Sequence, residues 1–247
     1  MSSNWPIAVA RVVLAEVDST NAHALREAPH VAGPVWYLGL RQTAGRGRRG
    51  RAWADPAGNF AGTYLCRPDG PPEQAAQRSF VASLALHDAL LGLTGSPQAL
   101  ALKWPNDVLL NGGKVAGILL ESAGAGVTHL AVGIGVNLLN APHGIDSPHP
   151  PVSLLAETGL RVSPEEFLDL LAPAFAGWEG QLRSQGFAPI RAAWLARAAR
   201  LGQPITACTV TETLEGTFEG IDASGALVLS MPQGRRTIPA ADVFFQG

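Results

Sequence analysis

A chain of 247 residues, 47% hydrophobic and 15% charged, carries enough apolar material for a sizeable core, which excludes a disordered segment. Its formal net charge of −2 excludes capture of polyanions by bulk attraction, so any basic site has to be a local concentration of charge.

Residues 7–17 are rich in Val and Ile, and Arg11 and Glu16 interrupt them, so they read as a strand and not as a signal peptide. Asp18-Ser19-Thr20-Asn21 offers four helix-capping types and opens a short helix to about Ala28. Residues 35–41 form a second strand. The glycines of 42–58 mark a long flexible loop, and 60–66 is again a strand. Residues 74–93 carry helical spacing, with Val81, Leu84, Asp88 and Leu91 on one face, widened by Phe80 and Leu90. Residues 100–103 and 108–110, the turn Asn111-Gly112-Gly113 and 115–120 make strands and a hairpin. Residues 129–138 are a strand, and 141–151 a loop.

Ser163-Pro164-Glu165-Glu166 starts a helix whose buried face is Phe167, Leu170, Leu171, Phe175, Trp178 and Leu182. A further helix covers 188–199. From Gly202 the pattern changes to short strands at 205–210, 214–221, 226–229 and 237–238. A boundary near residue 201 therefore divides the chain into 1–201 and an all-β tail, 202–247, too small to fold alone with ease. Cys66 and Cys208 have neither metal-ligand nor disulfide-framework spacing, which fits a reducing compartment. No run of about 18 apolar residues occurs, so no membrane span and a cytoplasmic location are expected. The six histidines are scattered, and no residue is assigned to a metal.

Arg41, Arg46, Arg48, Arg49 and Arg51 place five arginines in 11 residues, spaced by Gly45, Gly47 and Gly50. Glycine lets backbone N–H groups approach an anion, and each guanidinium can fork onto phosphate or carboxylate. A solvated basic loop, a nucleic-acid contact and a small-molecule phosphate clamp all fit; the shortness of the run and its flanking strands favour the clamp. The run lacks the Gly-Lys-Ser/Thr ending of a Walker A loop.

Only two of the 18 basic residues are lysines, Lys103 and Lys114, where a compact ammonium replaces the usual arginine. Lys103-Trp104-Pro105-Asn106-Asp107-Val108 leads into the hairpin, and Lys114 follows its turn. With a two-residue turn, Asp107 and Lys114 share a sheet face and Asp107 opposes residue 116 or 118; with three residues they part. Gly117 leaves room for a ligand beside Lys114.

Taken in order, residues 18–21, 41–51 with Trp53, Gly58-Asn59-Phe60, 103–108, 114–119 and Gly133-Ile134-Gly135-Val136-Asn137 resemble the catalytic core of bacterial biotin protein ligases. Residues 212–229 resemble the family's small C-terminal barrel. The resemblance implies an α+β fold: a mixed β-sheet flanked by helices, related to class II aminoacyl-tRNA synthetases, with a small C-terminal SH3-like β-barrel. It also implies a reaction. Biotin and ATP with Mg²⁺ give biotinyl-5′-adenylate and pyrophosphate, and the adenylate then acylates one lysine of a carrier domain on a biotin-dependent carboxylase.

By resemblance, Arg48 and Lys114 stabilise the first transition state, and Asp107 orients Lys114 or the incoming lysine. Ser19, Thr20, Asn21, Gln42, Gly45, Arg46, Gly47, Arg48, Lys114 and Gly117 match biotin-binding positions. Arg46, Arg51, Trp53, Asn106 and Asn137 match positions at the adenylate; Arg49 is left to solvent. Some family members carry an N-terminal winged helix and repress transcription. Here the first strand starts near residue 7, so a ligase with no repressor function and no DNA partner is expected; a homodimer is open. A lipoate–protein ligase on the related fold and a non-enzymatic RNA-binding module are the rival readings. The Met-Lys-Met acceptor triplet of the carriers themselves is absent.

Overall fold

The computed structural model describes residues 4–54, 56–68, 70–124, 127–142 and 149–245. Seven strands build the larger sheet: β1 (Ala10–Leu14), β2 (Val35–Gly39), β3 (Phe60–Cys66), β4 (Leu100–Lys103), β5 (Asp107–Leu110), β6 (Gly113–Ala123) and β7 (His129–Val136). Their order across the sheet is β1-β2-β3-β7-β6-β5-β4. Only β1 and β2 run parallel; every other pair is antiparallel, so the sheet is mixed.

The two faces of this sheet are covered unequally. Helices α2 (Pro72–Ala76), α3 (Arg78–Thr94), α4 (Leu154–Thr158), α5 (Pro164–Gln185) and α6 (Phe187–Leu195) complete the main body with α1 (Thr20–Glu27). α3 and α5 pack on the side that receives Trp36, Leu38 and Tyr64, and these residues join the main core. α1 packs on the opposite side, over Val35, Tyr37, Leu65 and Ala131. It covers only part of that face, and the cavity described below opens beside it.

The smaller sheet comprises β8 (Pro204–Cys208), β9 (Thr213–Ile221), β10 (Leu227–Met231), β11 (Gly234–Ile238) and β12 (Asp242–Phe245), ordered β11-β10-β9-β8-β12. It is antiparallel throughout, the expected SH3-like tail. It does not stand apart. The Trp104 indole donates to the Gly225 carbonyl at 2.9 Å in the core, and Trp194 meets Phe218 edge-on.

Several expectations need correction. The first strand is shorter than 7–17, and Ile7 lies almost wholly in solvent. The helix expected over 74–93 is two, α2 and α3, meeting at Gln77. α3 is buried nearly all round, because β4 to β7 lie beneath it and α5 and α6 beside it. On α5, Leu168 enters the core and Leu170 is exposed, a small rotation of the expected stripe. α6 ends at Leu195, short of 199. Helix α4 and strand β12 were not anticipated. Of the 141–151 loop, residues 143–148 lie outside the described residues. Within the loop expected at 42–58, Arg46 bridges Ala52, the Trp53 amide donates to the Gly45 carbonyl, and 48–50 make one 3-10 turn.

Candidate functional site

A row of paired residues runs across the open face of the large sheet. Gly39 pairs with Ala61, Ala61 with Gly135, Gly135 with Gly117, Gly117 with Asp107, and Asp107 with Lys103. Because strand side chains alternate between faces, Gly133 and Gly135 turn to this side while Ile134 and Val136 enter the core. The result is a floor of small residues that ends in an acid and a lysine. Above it lies a cavity of about 470 Å³.

The hairpin sets the chemistry at that end. Asn111 and Gly112 form a two-residue turn with both φ values positive, which matches the twist of the flanking strands. Leu110 then pairs with Gly113 and Leu109 with Lys114. A bulge follows, and the register shifts so that Val108 pairs with Ala116 and Asp107 with Gly117, not with residue 116 or 118. The shared face of Asp107 and Lys114 survives, because both follow the parity of Leu109. The bulge adds something further. Lys114 and Gly117 are three apart and would face opposite ways in a regular strand; with the extra residue they share a face. A Cβ on Gly117 would lie 3.4 Å from the Lys114 ammonium.

Asp107 accepts two cations. Lys114 Nζ lies 2.6 Å from Oδ1 and Lys103 Nζ 3.8 Å from Oδ2. Burial pushes the Lys103 ammonium below its ordinary pKa, against the pull of Asp107. Lys114 is also held through its backbone, where its N–H donates to the Pro150 carbonyl and its carbonyl accepts from Val152.

Arg48 enters from the arginine loop. It donates to Asn106 Oδ1 at 3.2 Å, and Asn106 in turn donates to the Ile118 carbonyl at 2.6 Å. Desolvation pushes the Arg48 guanidinium down from its ordinary value, with Asp242 and Asp107 opposing that. The Trp53 indole packs against the floor at Gly135 and Gly117. A Cβ on Gly135 would come within 2.5 Å of its ring, and Lys114 Nζ sits 5.7 Å from its centroid.

At the other end, Ser19 caps α1 by accepting from the Ala22 amide, and Gln42 Oε1 accepts from both the amide and hydroxyl of Thr20. Asn21 is fully engaged: it donates to Glu121 and the Leu119 carbonyl and accepts from the Thr63 hydroxyl. Glu121 also pairs with Arg46 at 3.0 Å. The Asn137 amide group donates to Val152, while its Oδ1 is buried without a hydrogen-bond partner among the described residues.

The cavity thus collects every residue matched to a catalytic, biotin or adenylate position except Gly45, which backs against Gln42 and the Trp53 carbonyl behind the lining. Sequence reasoning missed Glu121, the glycine floor at 133 and 135, and Asp242. It singled out Lys103 only as a rare lysine. Glu121 carries a signal in hindsight, as the only acid of its strand. Asp242 carries none, because β12 shows no pattern of its own. Arg49, left to solvent by the sequence, reaches Asp242 at 2.9 Å. Among the described residues no group of three His, Cys, Asp or Glu gathers to hold a metal, and no helix is long and apolar enough to cross a membrane.

The fold is that of biotin protein ligases. The enzyme of Aquifex aeolicus, solved with biotin and ATP, superposes with a TM-score of 0.82 at 24% identity, over 96% of this chain and 99% of that one. Residues 14–137 match the biotin/lipoate A/B protein ligase family, and residues 201–246 match the biotin protein ligase C-terminal domain. The biotin--[acetyl-CoA-carboxylase] ligase of Paracoccus denitrificans is 65% identical over 95% of this chain and 100% of its own length. The bifunctional ligase/repressor BirA of Bacillus subtilis is 30% identical over 82% of this chain, which spans 63% of that protein. The chain belongs to the biotin/lipoate A/B protein ligase family.

Proposed function

We propose that the chain is a biotin protein ligase, which activates biotin with MgATP and transfers it to one lysine of a biotin carboxyl carrier domain. The observation that carries this reading is the convergence of Arg48, Lys114 and Asp107 at one end of a glycine-floored cavity in a chain 65% identical to such a ligase.

The first step brings a carboxylate oxygen of biotin to the α-phosphorus of ATP, and pyrophosphate leaves. Two anions must meet, so cations between them stabilise the transition state. Arg48, oriented by Asn106, and Lys114, oriented by Asp107, would supply them. Magnesium accompanies ATP as part of the substrate. In the second step the carrier's neutral amine attacks the acyl carbon, AMP leaves, and the amine proton is lost. Lys114 would hold the carbonyl oxygen, and Asp107 would orient Lys114 or the incoming amine.

Biotin's ring system would lie over the floor near Ser19, Thr20 and Gln42, with Asn21 acting through the wall it builds with Glu121. Trp53, Arg51 and Asn137 would meet the nucleotide, and the open acceptor Oδ1 of Asn137 suits a ligand N–H or O–H group. Residues 1–201 would form the catalytic part and 202–247 an accessory barrel that reaches the site.

The test is transfer to a carrier domain with ATP and Mg²⁺, read by avidin blot, with lipoate as competitor. Biotin transfer that lipoate does not suppress is expected. A well-folded protein that transfers none would sink the reading, and preferential use of lipoate would replace it.

A further inference from the structure

Lys103 is the lysine that the two-step reaction leaves without a task, yet it is the more deeply placed of the two. It ends β4 and pairs with Asp107, the first residue of β5, across the turn Trp104-Pro105-Asn106. Paired residues share a sheet face, so Lys103, Asp107 and Lys114 lie on one side, and all three line the cavity. Its neighbours hold Lys103 in place. Trp104, next in the chain, is anchored in the core by its bond to the Gly225 carbonyl, and the Lys103 ammonium lies 5.8 Å from the Phe245 ring centroid. Only 12% of the Lys103 side chain is exposed, against 30% for Lys114.

The two lysines divide one carboxylate. Lys114 Nζ takes Asp107 Oδ1 at 2.6 Å, and Lys103 Nζ stands 3.8 Å from Oδ2. Among the described residues neither ammonium has another acid partner, and Asp242 already faces Arg48, Arg49 and Arg51. Lys114 and Asp107 alone would form a neutral pair, with the ammonium charge absorbed by its own carboxylate. With Lys103 added, the trio carries one net positive charge. An ammonium has three donors, so Lys114 can keep Asp107 and still reach a substrate oxygen. As that oxygen gains charge, Lys114 is drawn towards it and away from Asp107. A buried carboxylate that loses its partner is costly, and Lys103 on the other oxygen offsets that cost.

We propose that Lys103 is a positioning residue: from the far side of Asp107 it balances that carboxylate, so that the charge of Lys114 is available to the oxygens of the reacting centre. The proposal rests on the ligase reading. Asp107 then relays the charge of a lysine that touches no substrate to one that does.

Adenylate formation from radiolabelled biotin and MgATP, followed in single turnovers over ranges of both substrates, tests this by pairing two substitutions. Lys103→Met keeps the apolar stem and removes the charge. It is expected to slow the saturated rate about 30-fold, while the biotin and ATP concentrations for half-maximal rate stay within about twofold of native. In an Asp107→Asn background, where no carboxylate draws on Lys114, the same substitution should cost less than about threefold. Asp107→Asn alone should stay within about tenfold of native. Equal losses in the two backgrounds overturn the proposal, because a lysine that acts on substrate directly, or only supports the fold, does not depend on the acid. An unchanged rate in Lys103→Met, a loss confined to the half-saturating concentrations, or abolition by Asp107→Asn alone overturns it as well. If circular dichroism shows Lys103→Met to be misfolded, Lys103→Gln decides by the same comparison. Native protein that forms no adenylate sinks the ligase reading and the proposal together; active native protein with equal losses sinks the proposal alone.

Discussion

Lys114 and Asp107 illustrate how much a single pair depends on its neighbours. Their 2.6 Å contact needs a two-residue turn, a bulge and a glycine opposite the acid. The parity argument from the sequence reaches the shared face because it needs only the turn length. It misses Gly117 as the partner of Asp107, because a bulge is a choice made by the paired strands and leaves no mark in either one alone. Removing the lysine tests its part in the chemistry. Lys114→Ala is expected to lower adenylate formation roughly 100- to 1,000-fold, the usual effect of deleting one preorganised charge stabiliser. The fold should persist, because Asp107 keeps Lys103 at 3.8 Å and is not left as an unpaired buried charge. Pyrophosphate release measured with biotin and MgATP checks the first point and circular dichroism the second; near-native release would remove Lys114 from its role.

Elements with a local cause were legible, and those with a distant cause were not. α1 begins where Ser19 caps it, and α5 begins at a capping box in which Ser163 and Glu166 serve each other's backbone. Both starts are visible in the residues themselves. The glycines of β7 read as a motif, but their purpose appears only when Gly135 is seen between Ala61 and Gly117, in strands far apart in the chain. β12 is the extreme case, because its four residues become a strand only by adding to β8. The turn between β5 and β6 is the local element with the longest reach. Gly112 sits at a φ of 82°, so Gly112→Val places a β-branched residue in left-handed backbone at a cost of about 1–2 kcal/mol. For a chain of this size that corresponds to a loss in Tm of roughly 2–8 °C. Adenylate formation at 25 °C, where the variant stays folded, should fall further than this small destabilisation explains, because a distorted turn shifts Lys114 from Asp107. An unchanged rate would show that strand pairing alone sets the register.

Across the whole molecule, the boundary near residue 201 is clearer in sequence than in packing. The chain changes from helical to strand patterning there, yet one hydrophobic core runs through both parts and includes Phe80, Trp104 and Trp194 beside Phe218, Leu227 and Leu229. Gly225 belongs to the barrel, and a Cβ there would meet the Phe80 ring of α3 at 2.5 Å. Its carbonyl is the acceptor for Trp104, which directly follows Lys103 in the chain. The ion pairs of Asp242 with Arg49 and Arg51 add a polar tie between the same two parts. A barrel of this size buries too little on its own to be stable, so its stability has to come from this shared core. Calorimetry should therefore record a single unfolding transition for the full chain, with barrel and catalytic part melting together. Trp104→Phe keeps the ring but leaves the Gly225 carbonyl buried without its donor, a loss of about 1–3 kcal/mol. The whole transition should move down by several degrees, at about 2–4 °C per kcal/mol for a chain of this length. A separate low-temperature peak that alone responds to Trp104→Phe would instead make the barrel an independent unit.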